Sequence, residues 1–169
     1  MKSVRKFKQF DYDLDFENIN FRDNPEKYII GKGERGVLMI EPYKSEILPH
    51  WKFRTPEIAS KSAKEIFKLY EDYKSQKDFV GMDMSRKFLQ MGITRSRRYA
   101  NHKSGQKYKS NPQLEMDSQK SKALRKNILP LDLDLEKAES AKRFSEYYYK
   151  ITKDNEYIDM RQKHIDKYY

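Results

Sequence analysis

The scarcity of aliphatic side chains is the feature that most limits how this chain can fold. Leu, Ile, Val and Phe together supply 35 of 169 residues, close to the level at which chains stay disordered. Thirteen tyrosines, seven methionines and one tryptophan add bulk, and aromatic rings bury large areas. We therefore expect a single domain over residues 1–169 with a thin, aromatic-rich core, and a loose basic loop over residues 102–116.

Two N-terminal stretches have the pattern of β-strands. Residues 10–16 alternate apolar and acidic side chains, which is the period of a half-buried strand. Two short apolar runs, Lys27–Ile30 and Val37–Ile40, then flank the glycine-rich stretch Gly31–Gly36, a pattern that favours a β-hairpin with a long loop. These patterns predict a small antiparallel sheet within residues 10–42.

Helical patterns dominate the rest of the chain. Thr55 and Pro56 suit the N-cap and first position of a helix, and apolar residues follow at helical spacing, so we predict a helix over residues 56–75. Further helices are predicted over about residues 82–90, 94–101, 117–127, 134–152 and 155–166. The expected fold is helix-rich α+β, with the small antiparallel sheet packed against four or five helices.

The net charge of +10 is confined to residues 86–126, which we call the basic segment. It contains twelve Lys and Arg but only two acids, whereas the remaining residues are balanced. An asymmetry of this kind indicates a polyanionic partner. The twelve cations are Arg86, Lys87, Arg95, Arg97, Arg98, Lys103, Lys107, Lys109, Lys120, Lys122, Arg125 and Lys126.

The middle of the basic segment interleaves cations with aromatic and amide side chains, a composition that suits phosphate contacts and base stacking. The predicted nucleic-acid-binding residues are Arg95, Arg97, Arg98, Tyr99, Asn101, His102, Lys103, Lys107 and Tyr108. The favoured function is that of a non-catalytic, largely sequence-tolerant accessory protein that binds DNA or RNA. The alternatives are an accessory or inhibitory factor that docks on an acidic protein, and an enzyme acting on a phosphorylated substrate.

A helix-turn-helix is a sharper version of the nucleic-acid hypothesis, because Gly92 and Thr94 separate two helical patterns. Phe88 occupies the position where that motif needs a small residue. Arg98 occupies a position where the motif needs a buried aliphatic residue, and burying an unpaired charge is energetically costly. The sequence instead favours a glycine that ends one helix and a threonine that caps the next.

The enzyme alternative would use the glycine-rich stretch together with His50, His102 or the acids Asp11–Asp15. The spacing Gly31-x-Gly33-x-x-Gly36 matches a dinucleotide-binding pattern, but a strand-like run follows it where that site needs a helix N-terminus. A plain hairpin loop is therefore favoured. The alternating acids Asp11, Asp13 and Asp15 are better explained as the solvent-facing side of an edge strand than as a metal site.

Several classes of protein are disfavoured. The chain has no cysteine and three widely spaced histidines, so a disulfide is excluded and a structural zinc site is not expected. We expect no cofactor and no bound metal. The basic N-terminus lacks the apolar run of a signal peptide, and no stretch is apolar enough to cross a bilayer, so a cytoplasmic location without a membrane partner is expected.

Two stretches resemble a known family. One is Gly36-Val-Leu-Met-Ile-Glu-Pro-Tyr-Lys-Ser-Glu-Ile-Leu-Pro-His-Trp51. The other is Asp78-Phe-Val-Gly-Met-Asp-Met-Ser-Arg-Lys-Phe-Leu-Gln-Met-Gly92, followed by Arg-Arg-Tyr-Ala-Asn-His-Lys-Ser-Gly105. They are similar to the family of domain of unknown function 4385, small proteins of bacteria, large phages and some fungi. The resemblance extends over roughly residues 10–150 and implies one domain of phage or bacterial origin, without an assigned activity.

Overall fold

The computed structural model describes residues 8–102, 106–129 and 133–169. No β-strand is present in these ranges, where a lone backbone bridge joins Tyr108 to Ile128. The α+β prediction is therefore wrong, and the described fold is all-α. Its helices are α1 (Tyr43–Ile47), α2 (Pro56–Ser75), α3 (Phe79–Asn101), α4 (Ser118–Leu124), α5 (Leu135–Thr152) and α6 (Asn155–Tyr168), with short 3-10 helices at Pro25–Lys27, Leu48–His50 and Pro112–Leu114.

Helix α3 lies at the centre of the packing. Every residue from Phe79 to Leu89 is buried, and a helix that is buried on all sides belongs to the interior of a protein. Helices α1, α2, α5 and α6 all contact α3. The amphipathic helices thus bury their apolar stripes against one shared central element.

Helix α3 runs without a break through Gly92, so the predicted helix end at this glycine is wrong. The same continuity excludes the helix-turn-helix, which the sequence had already disfavoured. A Cβ atom at Gly92 would lie 2.6 Å from the ring of Phe144 on α5. The glycine therefore permits close approach of α5, and this packing offsets the roughly 1 kcal/mol by which glycine disfavours a helix interior. Ser96 and Ala100, one and two turns further on, are also small and buried.

The remaining helix predictions are confirmed in their main features. Helix α2 begins where predicted, with Thr55 Oγ1 accepting a hydrogen bond of 3.2 Å from the backbone N–H of Ile58. Asp134 and Asp154 cap α5 and α6 in the same way, and both helices match their predicted ranges closely. The basic helix expected over residues 117–127 is shorter, at Ser118–Leu124.

The N-terminal apolar runs bury against the helices instead of pairing with each other. Tyr28, Ile30, Val37 and Ile40 all belong to the core. The backbone between the two runs is hydrogen-bonded to α3, because the carbonyls of Gly33 and Arg35 accept hydrogen bonds from side chains of that helix. Residues 10–16 likewise form turns. Alternation and glycine spacing were thus misleading, since no partner strand is available in the described residues.

Buried tyrosines compensate for the scarcity of aliphatic residues. Tyr28, Tyr43 and Tyr70 are almost completely inaccessible to solvent, and each hydroxyl donates a hydrogen bond to a carboxylate. The partners are Asp83, Asp78 at 2.7 Å and Asp154 at 2.6 Å. A buried tyrosine adds a large apolar ring but needs a partner for its hydroxyl. The expectation of an aromatic-rich core is confirmed, with carboxylates satisfying the polar ends.

Candidate nucleic-acid interface

Two of the twelve cations of the basic segment lie inside the fold. The Nε and Nη2 atoms of Arg86 each lie 2.9 Å from Oδ1 of Asp83, and its Nη1 donates to the carbonyl of Gly33 at 2.6 Å. Lys87 is fully buried and its Nζ donates to the carbonyl of Arg35 at 2.8 Å. These two side chains stabilise the interior and are not available to an external partner.

The electrostatics of this buried cluster follow from its geometry. Burial lowers the pKa of Lys87 to about 7, with the negative charge of Asp83 opposing the effect and Arg86 adding to it. Burial also favours the neutral form of Asp83, but the charges of Arg86 and Lys87 and hydrogen bonds from Tyr157 and Tyr28 keep its pKa below the usual range. At neutral pH the cluster therefore holds an ionised Asp83–Arg86 pair beside a lysine that is close to losing its proton.

The glycine-rich stretch contacts this cluster through two of its backbone carbonyls. Gly31, Gly33 and Gly36 have φ values of 72°, 63° and 79°, which only glycine adopts readily. A phosphate loop directs backbone N–H groups at its ligand. Here the carbonyls of Gly33 and Arg35 point at the buried cations instead. The hairpin interpretation is also wrong, because the described residues contain no strands on either side.

Three predicted arginines occupy the last turns of α3, where the helix emerges from the core. Arg95 and Arg97 are exposed and Arg98 is half-buried. Burial raises the pKa of nearby Glu34, while a hydrogen bond from Thr94 and the charges of Arg95, Arg86 and Arg98 oppose this rise. Arg95 and Arg98 thus both interact electrostatically with the Glu34 carboxylate. Arg97 forms no ion pair within the described part of the chain.

The next predicted residues divide between surface and interior. Asn101 is exposed, and the half-buried ring of Tyr99 packs 5.7 Å from that of Phe53. His102 is 5% exposed, and its Nδ1 has no hydrogen-bond partner among the described residues. His102 is therefore placed in the interior, unlike the surface position that was predicted. Lys103 lies outside the described residues, as does part of the loop expected over 102–116.

Lys107 and Tyr108 lie in a short backbone pairing between residues 107–109 and 127–129. Leu129 N donates to the carbonyl of Lys107 at 2.8 Å, and Lys109 N donates to that of Asn127 at 2.9 Å. The Nζ of Lys107 and the guanidinium carbon of Arg125 lie 5.4 Å and 6.0 Å from the centre of the Tyr108 ring. The pairing thus brings cations that are distant in sequence to one tyrosine.

An aromatic and cationic pocket of about 520 Å³ lies beside the end of α3. Of the residues that line it, the sequence indicated Tyr99 as a candidate binding residue and none of the others. The overlooked signal is the alternation of ring and cation in Trp51-Lys-Phe-Arg54, which resembles the interleaving seen in the basic segment. We call this site the aromatic–cationic pocket, and it is lined by Trp51, Lys52, Phe53, Arg54, Ile58, Tyr99 and Lys137.

The groups considered for an enzyme lie in different surroundings in the described structure. His50 Nδ1 lies within hydrogen-bonding distance of Glu65 Oε2 on α2, at 2.9 Å and partly exposed, whereas His102 is buried. No group of three or more His, Asp or Glu residues that could hold a metal occurs among the described residues, the acids Asp11–Asp15 included. Within the same residues, no helix is long and apolar enough to cross a membrane.

Comparison of the chain with curated proteins and with solved structures gives no match. A comparison with family profiles does give one, and its description is "Domain of unknown function (DUF4385)". The match extends over residues 11–167, almost the whole chain, and includes both stretches that carried the resemblance. The chain therefore belongs to the family of domain of unknown function 4385.

Proposed function

We propose that this protein binds nucleic acid without acting on it chemically and largely without regard to sequence. The observation that carries the proposal is a set of nine cations between residues 95 and 126 that lie at or near the surface. None of them forms an ion pair with a carboxylate of the described residues. We call them the outer cations: Arg95, Arg97, Arg98, Lys107, Lys109, Lys120, Lys122, Arg125 and Lys126.

The two acids within this stretch do not neutralise the outer cations. Asp117 Oδ1 accepts hydrogen bonds from the backbone N–H groups of Gln119 and Lys120, at 3.0 Å and 2.9 Å, and thereby caps α4. Glu115 Oε1 accepts from the backbone N–H of Asp117 at 3.1 Å. Both carboxylates are directed at the local backbone, so the excess positive charge faces solvent. This is the electrostatic pattern expected of a protein that contacts a phosphate backbone.

Phosphate contacts predict a specific dependence on salt. Each phosphate neutralised on duplex DNA contributes about −0.9 to the slope of log affinity against log salt. If about five outer cations contact phosphates, the slope is roughly −4 to −5. Fluorescence anisotropy with labelled single-stranded DNA, duplex DNA and RNA over a range of salt concentrations measures this slope. Absence of binding to all three at low salt would overturn the proposal and favour an acidic protein as the partner.

A matched pair of double variants locates the contacts. Replacing Arg95 and Arg97 by Gln removes two exposed cations from α3 and is expected to make the duplex slope shallower by about 2. Replacing Lys64 and Lys68 by Gln removes two exposed cations from α2 and serves as the control, with no change expected. Equal effects of the two double variants would show that the net charge matters and the end of α3 does not.

A further inference from the structure

The aromatic–cationic pocket combines two chemistries at the meeting point of four chain segments. Residues 51–54 form one side, Ile58 comes from the first turn of α2, Tyr99 from α3 and Lys137 from α5. Among the described residues, three aromatic rings and three cations line the pocket, and no carboxylate does. Its volume of about 520 Å³ lies within the range of roughly 300–1,000 Å³ typical of small-ligand sites.

Phe53 is the central ring of the pocket and is held on three sides. Its ring centre lies 5.0 Å from that of Trp51 and 5.7 Å from that of Tyr99, both in tilted arrangements. The Nζ of Lys137 lies 5.4 Å from the Phe53 ring centre and donates to the backbone carbonyls of Phe53 and Arg54, at 3.3 Å and 2.5 Å. The rings are therefore already placed before any ligand arrives, and each is partly exposed to solvent.

The cations at the rim remain available to a ligand. Lys52 and Arg54 are exposed, and neither forms an ion pair within the described residues. An occupant matched to this pocket needs a flat π-surface for the rings and negative charge for the rim. An unpaired nucleotide supplies both, because its base stacks on aromatic rings while its phosphates meet Lys and Arg. A base inside a duplex is already stacked and paired, and its faces are not accessible.

We infer that the aromatic–cationic pocket holds an unpaired base of single-stranded nucleic acid, with Lys52 and Arg54 at the neighbouring phosphates. This inference rests on the proposed function and adds to it a site that only single strands can occupy. Tyr99 connects the pocket to the outer cations, because it lines the pocket and Arg95, four residues earlier, lies on the same face of α3. A strand whose base enters the pocket can therefore reach Arg95.

Trp51 makes the pocket directly observable, because it is the only tryptophan in the chain. We would titrate the protein with oligothymidine of about 12 nucleotides, within the usual range of roughly 4–16 for single-strand binding sites. Tryptophan emission reports on the pocket while anisotropy of a label reports on binding as a whole. An abasic oligonucleotide of equal length and a duplex of equal length are the two control ligands. We expect saturable quenching of Trp51 by oligothymidine only.

Variants separate stacking from charge. Tyr99→Leu keeps an apolar side chain but removes the ring, and is expected to weaken binding of oligothymidine roughly 5- to 150-fold. Its affinity for the abasic strand should not change, and Tyr99→Phe, which keeps the ring, should retain the affinity of the unmodified protein. Tyr149→Leu is the matched control, because Tyr149 is a 53% exposed tyrosine on α5 outside the pocket lining.

The possible outcomes distinguish the two proposals. Binding of all three ligands without a change in Trp51 emission would overturn the pocket inference and leave the proposed function intact. Equal losses for oligothymidine and the abasic strand in Tyr99→Leu would also overturn it. Absence of binding to any ligand at low salt would overturn the proposed function itself. Quenching by oligothymidine alone, together with a selective loss in Tyr99→Leu, would support both.

Discussion

Replacing the buried Lys87 with methionine tests the electrostatics of the interior. The folded chain releases the Lys87 proton near pH 7, because burial disfavours the charged ammonium, whereas a lysine in the unfolded chain keeps its proton up to about 10.5. Unfolding therefore takes up a proton between these two values. Stability must rise with pH across this window, since the unfolded state binds more protons there than the folded state.

The size of the effect follows from the same two pKa values. One linked proton changes the free energy of unfolding by at most about 1.4 kcal/mol per pH unit. With half of the folded molecules protonated at pH 7, the contribution of Lys87 grows by about 2 kcal/mol between pH 7 and pH 9. Other groups interfere little in this range. Burial lowers the pKa of His164 below its ordinary value of 6.5, so this residue changes the stability at more acidic pH. The buried tyrosines have raised pKa values, so they reduce the stability only above about pH 10, where tyrosines of the unfolded chain ionise.

Urea unfolding at pH 7, 8 and 9 and constant ionic strength measures the effect, with Trp51 emission as the probe. The unmodified protein is expected to gain stability with pH, whereas Lys87→Met should show little change over the same window. Lys64→Met, at an exposed position on α2, is the control and should keep the full pH dependence. A flat profile in the unmodified protein, or an undiminished slope in Lys87→Met, would refute the argument that burial neutralises this lysine.

Two further substitutions test the packing around α3. Gly92→Ala should destabilise the protein by about 1–3 kcal/mol in urea unfolding, because the new Cβ would lie 2.6 Å from the Phe144 ring. This loss is expected although alanine has the higher helix propensity. Unchanged or increased stability would contradict the close contact between α3 and α5. Asp83→Asn should lower the free energy of unfolding by about 3–5 kcal/mol, because it leaves the buried Arg86 without a counter-charge. A loss of less than about 1 kcal/mol would show that the Arg86 guanidinium reaches water.

The parts of the fold that sequence reasoning predicted are those with local signals. Helix α2 has its cap, its proline and its apolar stripe within 20 residues, so its prediction needed no tertiary information. The prediction failed where a distant contact decides the outcome. Gly92 continues a helix because Phe144, on another helix, needs the space. The apolar runs before and after Gly31–Gly36 do not pair, because they pack into the core and the backbone N–H of Ile30 donates to the distant Tyr169 hydroxyl.

The candidate site shows the same division. The arginines at the end of α3 could be found by counting charges along the sequence. The same count included Arg86 and Lys87, which are buried. Their partners, the carbonyls of Gly33 and Arg35, lie more than 50 residues away in the sequence, so no local pattern reveals the burial. The pocket was missed for a related reason. Phe53 and Lys137 meet across a separation of 84 residues, which no local pattern reports.

The continuity of α3 has a consequence for how a ligand would be held. The helix is buried from Phe79 to Leu89, and its last two turns, which carry Arg95, Arg97 and Arg98, continue from this buried part without a break. Cations on a loop must give up backbone freedom when a partner arrives, whereas cations on an anchored helix have already done so during folding. The backbone that carries these arginines is thus ordered by the core of the protein, and a ligand does not have to supply that ordering.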